Sequence, residues 1–119
     1  MAQLLHQGKI LLGDMHYAAT PFETFRGLMF ADSARIAKGI CLVMRHRHDV
    51  RIAASVTTFF CRRPLEILFV NSQLEVVDKV VLPPWRASYT PARPAKFIIE
   101  SAVGSFAGIA PGEHVEIHP

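Results

Sequence analysis

Cysteine is scarce: the 119-residue chain holds two, Cys41 and Cys61. Both stand in apolar surroundings rather than at the spacing of a disulfide framework. A bridge-stapled fold is thereby excluded, and the pair reads as buried free thiols. Long hydrophobic runs are missing too. The continuously apolar stretch Gly39 to Met44 falls far short of the ~20 residues that cross a bilayer as a helix. The N-terminal Met1-Ala2-Gln3-Leu4-Leu5-His6 has no basic n-region, and its apolar character is broken by His6, Gln7 and Lys9, so it does not read as a signal peptide. A cytoplasmic protein with no membrane partner is the expectation. Charge of one sign is in small excess only: thirteen Lys+Arg against ten Asp+Glu leave +3, which allows polyanion binding without requiring it. The sequence has no Gly-x-Ser-x-Gly elbow, no His-Glu-x-x-His helix and no glycine-rich phosphate loop, which removes the common hydrolase, zinc-protease and nucleotide signatures.

What is present describes one globular domain over residues 1–119, with 50% hydrophobic residues and a mean hydropathy of +0.24. Its turn signals recur roughly every ten residues. Gln7-Gly8 suits a turn, and Lys9 to Ala19 alternates as a strand. Thr20-Pro21-Phe22-Glu23 has the capping residues of a short helix that ends near Gly27. Asp32-Ser33-Ala34-Arg35 starts another helical turn. Gly39 to Met44 and Val50 to Phe60 read as two strands joined by a hairpin at Arg45-His46-Arg47-His48-Asp49. Further strands run from Pro64 to Val70, Leu74 to Leu82, Ala95 to Glu100 and His114 to Ile117, with Asn71-Ser72-Gln73 a tight turn and Pro83-Pro84 a stop. The expected fold is all-β with one or two short helices, a sandwich or a barrel.

Several segments in this order resemble one family. They are Thr20-Pro21 with Arg26-Gly27-Leu28-Met29-Phe30, the Gly39-Ile40-Cys41-Leu42 strand, Pro64-Leu65-Glu66-Ile67-Leu68-Phe69-Val70, Ala95-Lys96-Phe97-Ile98-Ile99-Glu100 with Gly104, and Pro111-Gly112-Glu113-His114-Val115. Together they are similar to the domain-of-unknown-function family 192 (DUF192) over nearly the whole chain from Lys9 onward. The resemblance implies a single-domain β-sandwich of jelly-roll type and brings no reaction with it. Members commonly carry Trp-Met-Lys-Asn-Thr shortly before the Pro-Leu-acidic strand. Here that stretch is Thr57-Thr58-Phe59-Phe60-Cys61, which is aromatic and poor in polar groups.

Four constellations could carry function. Arg45, Arg47 and Arg51 flank the hairpin turn, Arg62 and Arg63 precede the next strand, and Arg86, Arg93 and Lys96 stand in the late loops with Trp85 and Tyr89 beside Arg86; Arg forks bind phosphate and carboxylate, and the aromatic rings can stack. His46 and His48 with Asp49 offer metal ligands, but no third ligand follows at a recognisable spacing, so no metal or cofactor is expected. Cys61 beside Arg62-Arg63, with Glu66 or a histidine, could form a nucleophile and acid–base pair. Glu66 itself reads either as a solvent-facing carboxylate or as the buried partner of an arginine such as Arg26. Finally, Phe59-Phe60, Phe69, Phe97 and the Val76-Val77-Val80-Val81 strand could form a homodimer edge or face. The leading expectation is a non-enzymatic binding module in which Arg62, Arg63, Glu66, Trp85 and Arg86 hold a small anionic or sugar-like ligand or a partner segment. Nucleic acid is not the expected partner. A hydrolase or transferase using Glu66 with Cys61 or a histidine, and a purely structural or interaction protein, are the alternatives.

Overall fold

The computed structural model describes residues 2–20, 27–28, 31–44, 51–58, 61–86 and 88–119. The chain opens with a hairpin in which β1 (Ala2–His6) pairs antiparallel with β2 (Lys9–Ala18). Its two-residue loop needs both central residues left-handed, and Gln7 (φ +53°) and Gly8 (φ +76°) supply them. The helix α1 (Ser33–Lys38) begins where Asp32 accepts a hydrogen bond from the Arg35 amide at 2.9 Å. It ends at Gly39, with φ +82°. A Cβ at Gly39 would lie 2.9 Å from Leu12 Cδ1 and 3.1 Å from the Glu100 carbonyl oxygen, so both backbone angle and space require glycine. β3 (Ile40–Val43) follows at once.

The strands β4 (Leu65–Val70) and β5 (Val76–Leu82) form a second hairpin. Asn71 shapes its turn: the side-chain Oδ1 accepts from the Gln73 amide at 3.0 Å and the Glu75 amide at 2.9 Å. β6 (Phe97–Ala102) and β7 (Glu116–His118) complete a seven-stranded sheet of order β5-β4-β6-β3-β2-β1-β7. Among the described strands only the β2–β3 pair is parallel. The sheet curls towards a barrel because the segment before β7 reaches the start of β5. The Val76 amide donates to the Glu113 carbonyl at 2.8 Å, and the Val115 amide donates to the Leu74 carbonyl at 3.0 Å.

Both faces of the sheet carry a core. Leu4, Met15, Cys41, Leu68, Val70, Ile99, Phe106 and Val115 fill the inside of the curl. Ile40, Leu42, Leu65, Ile67, Phe69 and Ile98 form the other face, covered by Leu28, Ala31, Ile36, Ala54, Val56, Cys61 and Ala95. The interior strand β4 is therefore buried along its whole length. Among the described residues no helix is long and apolar enough to cross a membrane.

Mainly β with little helix is what the sequence leads one to expect, but the arrangement differs from two stacked jelly-roll sheets. Among the described residues one curled sheet wraps its own inner core, and a helix and irregular chain cover its outer face. The strand expected from Val50 to Phe60 is also corrected over residues 51–58; Val50, Phe59 and Phe60 lie outside the described residues. Arg51–Ala54 is a 3-10 turn, and Val56 makes a lone bridge to Tyr89. Both edges of β3 are already taken by β2 and β6, leaving no place for a hairpin partner. The capped helix at Pro21 to Glu23 and the turn at Arg45 to Asp49 lie outside the described residues. β1 was not anticipated.

Candidate functional site

Register decides which side chains meet. Leu65 at the start of β4 lies opposite Leu82 on β5 and Ala102 on β6. The residues before Leu65, after Leu82 and after Ala102 therefore gather at one end of the sheet. This end holds Arg62 and Arg63, both exposed, together with Trp85 and Arg86. The two prolines after Leu82 stop the strand, since they have no amide to continue its ladder.

Thr58, 0% exposed, ties this end together. Its hydroxyl donates to the Pro83 carbonyl at 2.6 Å and accepts from the Arg86 amide at 2.7 Å. Its backbone carbonyl accepts from the Trp85 amide at 2.9 Å and the Cys61 amide at 3.0 Å, and its amide donates to the Arg86 carbonyl at 3.1 Å. Thr57 adds a hydroxyl bond to that same carbonyl at 2.9 Å. These bonds hold Trp85 at φ +63°, a left-handed conformation that costs a non-glycine residue on the order of 1 kcal/mol. The indole is left 59% exposed on a pinned backbone. The Arg86 guanidinium is oriented by its Nε donating to the Ser88 carbonyl at 3.2 Å.

Four of the five expected site residues are thus brought to one end, and Glu66 is not part of their surface. Glu66 alternates with Leu65 and Ile67, so it shares the inner face with Leu68 and Val70. It is 6% exposed. Its Oε1 accepts from the Gly104 amide at 3.1 Å and the Phe106 amide at 2.8 Å. The carboxylate caps the turn after β6. Arg26 lies outside the described residues. Cys61 belongs to the outer core, so the sheet separates it from Glu66, and the acid–thiol pair of the hydrolase alternative is not assembled.

A second buried acid, Glu100, was missed. On β6 it stands between Ile67 of β4 and Ile40 of β3, in the middle of the outer apolar face. A Cβ on Gly27 would come within 3.3 Å of its Oε1. Burial raises its carboxyl from the ordinary 4.5 to about 7. Cys61 is pushed up to about 11 by burial, aided by the Glu100 charge, and Cys41 to about 12 by burial. Neither thiol has the electropositive setting that activates a nucleophile.

His46 and His48 lie outside the described residues, and among the described ones no three His, Cys, Asp or Glu side chains come together to hold an ion. His6, 9% exposed, has its Nε2 3.5 Å from Glu113 Oε1 beside an open concavity of about 450 Å³ at the Gln7-Gly8 turn.

The likenesses to known proteins agree with this architecture. A UPF0127 protein of Pyrococcus furiosus is 38% identical over 98 residues, covering 82% of this chain and 79% of that one. A UPF0127 protein of Thermococcus sibiricus is also 38% identical over 98 residues, and there the chain spans 60% of the relative's length. A crystal structure of a protein of unknown function from Novosphingobium aromaticivorans superposes with a TM-score of 0.79 at 24% identity, over 97% of this chain and 82% of that chain. That likeness concerns the fold alone. The model of DUF192, described as Uncharacterized ACR, matches residues 3–117, and the chain belongs to that family.

Proposed function

We propose that the protein is a non-catalytic binding module whose anionic ligand is held at the end of the sheet where Arg62, Arg63, Trp85 and Arg86 stand. The observation that carries this reading is the pinned, left-handed, 59% exposed Trp85 at the end of the sheet that also holds Arg62, Arg63 and Arg86. A strained backbone persists only where its surroundings over-determine it, and such positions cluster at ligand sites. Three guanidinium groups supply planar forks suited to phosphate or carboxylate oxygens. The indole offers a face for the apolar or ring portion of the ligand. The catalytic alternative has less support, because Glu66 is engaged by two amides inside the curl and both thiols are held protonated.

Thermal denaturation with tripolyphosphate tests the reading. A ligand at 100 times its dissociation constant stabilises the fold by about 2.7 kcal/mol, a rise of several degrees in Tm for a domain of this size. The wild type is expected to show the rise, and Arg62→Ala with Arg63→Ala to lose it while keeping the unliganded Tm. A rise that persists in the double variant would place the anion elsewhere.

A further inference from the structure

We infer that His6 and Glu113 form a binding site for a divalent transition-metal ion of the zinc class, held between the imidazole Nε2 and the Glu113 carboxylate at the open concavity by the Gln7-Gly8 turn. Local structure puts both donors on fixed supports. His6 is the last residue of β1, and its pairing with Lys9 closes the first hairpin. Glu113 ends a four-residue turn in which its amide donates to the Ala110 carbonyl at 3.2 Å and Gly112 takes φ +96°. Pro111 and Gly112 are the central residues that such a turn favours. Glu113 Oε1 also accepts from the Ala110 amide at 2.7 Å, which orients the carboxylate as outer hydrogen bonds orient metal ligands.

His6 is 9% exposed, and its Nε2 is buried with no hydrogen-bond partner among the described residues. A buried polar atom left in that state is costly unless a ligand satisfies it. The concavity is lined by two carboxylates, Glu113 and Glu116, and by a second imidazole, His114, while among the described residues neither Lys nor Arg lines it. Lys9 lines the neighbouring hollow instead. In a chain of net charge +3 this is a local seat for positive charge. The spacing of the donors selects the kind of cation. Nε2 and Glu113 Oε1 stand 3.5 Å apart, wider than the roughly 2.7–2.9 Å of a charge-assisted hydrogen bond. Two donors each about 2.1 Å from a zinc-class ion, at a tetrahedral angle, are separated by about 3.4 Å. An ammonium nitrogen about 2.9 Å from both atoms would subtend an angle of only about 75°, too acute for two of its N–H bonds. One imidazole nitrogen with one carboxylate oxygen suits zinc and its neighbours better than the all-oxygen shells of magnesium and calcium. Among the described residues no third His, Cys, Asp or Glu side chain joins the pair, so the ion's remaining positions face the concavity, open to water or to a donor from a ligand. The ion would also tie β1 to the turn whose Glu113 carbonyl accepts from the Val76 amide, and so stabilise the closure of the curl.

Isothermal titration of the full chain with Zn²⁺, Mg²⁺ and spermidine, each alone, tests the inference, with thermal denaturation as a second readout. Zn²⁺ is expected to bind and to raise Tm, and Mg²⁺ and spermidine to bind at least about tenfold more weakly. Glu113→Gln keeps an oxygen for the Ala110 amide but removes the charge. It should weaken Zn²⁺ binding by about tenfold or more while leaving the metal-free Tm nearly unchanged. His6→Gln should weaken binding similarly, with circular dichroism confirming that the variant is folded. His46→Ala with His48→Ala should leave the affinity unchanged, and cobalt(II) should bind without a sulfur charge-transfer band. Failure of Zn²⁺ to bind, or binding undiminished by Glu113→Gln, would overturn the inference. Loss of binding in the His46/His48 variant, or a thiolate band, would place the metal elsewhere and overturn it too. So would equal affinity for Mg²⁺ or spermidine.

Discussion

At the scale of single residues, Glu100 is the side chain whose environment most constrains its chemistry. Its cross-strand neighbours Ile40 and Ile67 offer no charge, and burial raises its carboxyl from 4.5 to about 7. The folded state thus holds this proton more tightly than the unfolded chain does. The resulting stabilisation is complete below pH 4.5 and is lost as the pH rises through about 7. Over that interval the wild type is expected to lose stability, by roughly 3 kcal/mol as an upper figure for one group. Glu100→Gln should flatten this part of the profile in urea denaturation, and an unchanged slope would show that the carboxyl titrates normally. Little of this was legible in the sequence. An acid in a strand-like run reads as solvent-facing, and only the non-local register of β3, β4 and β6 sets it between two isoleucines. Glu66 reads in the sequence as either solvent-facing or buried; it is buried, and its partners among the described residues are the backbone amides of Gly104 and Phe106, which no side-chain pattern announces.

At the scale of elements, the link between Thr57-Thr58 and the turn after β5 is the structural basis of the proposed site. Thr58→Val keeps the shape of the side chain but removes the hydroxyl that serves both the Pro83 carbonyl and the Arg86 amide. The expected cost is about 2 kcal/mol, because the amide is left without its acceptor. Trp85 emission should shift in the unliganded variant as its backbone loosens. An unaltered spectrum would mean that Thr58 does not set the indole's position. The strands β2, β4, β5 and β6 were readable because turn residues bracket them: Gln7-Gly8, Pro64, Asn71 and Pro83-Pro84. The same prolines made the grouping of Arg62-Arg63 with Trp85-Arg86 conceivable. β1 was hidden because its inward positions, Ala2, Leu4 and His6, do not alternate in hydrophobicity with the outward Gln3 and Leu5. The segment after Val50 misled in the opposite way. Its β-tolerant residues became a 3-10 turn and a lone bridge once β3 had filled both its edges.

At the scale of the whole molecule, closure of the curl and close packing across the sheet make different demands on glycine. Gly112, with φ +96°, stands where the chain bends towards β7, and a Cβ there would meet nothing within 4 Å. Gly112→Ala should therefore cost only the backbone penalty, about 1 kcal/mol. Gly39→Ala adds collisions with Leu12 and the Glu100 carbonyl to a similar backbone penalty, so its Tm should fall clearly further. Equal losses in the two variants would contradict the close approach of Gly39 to Leu12 and the Glu100 carbonyl. The overall charge of +3 is too small to make the whole surface a polyanion receptor. Recognition must then come from a local arrangement, and its affinity should fall as salt screens the exposed arginines. The most direct measurement of that arrangement is a two-dimensional ¹H–¹⁵N NMR titration with tripolyphosphate. The account predicts the largest shifts at the amides of Arg62, Arg63 and Arg86 and at the Trp85 indole. Shifts concentrated at His6, Gln7 and Glu113, with the arginine–tryptophan end unmoved, would contradict it.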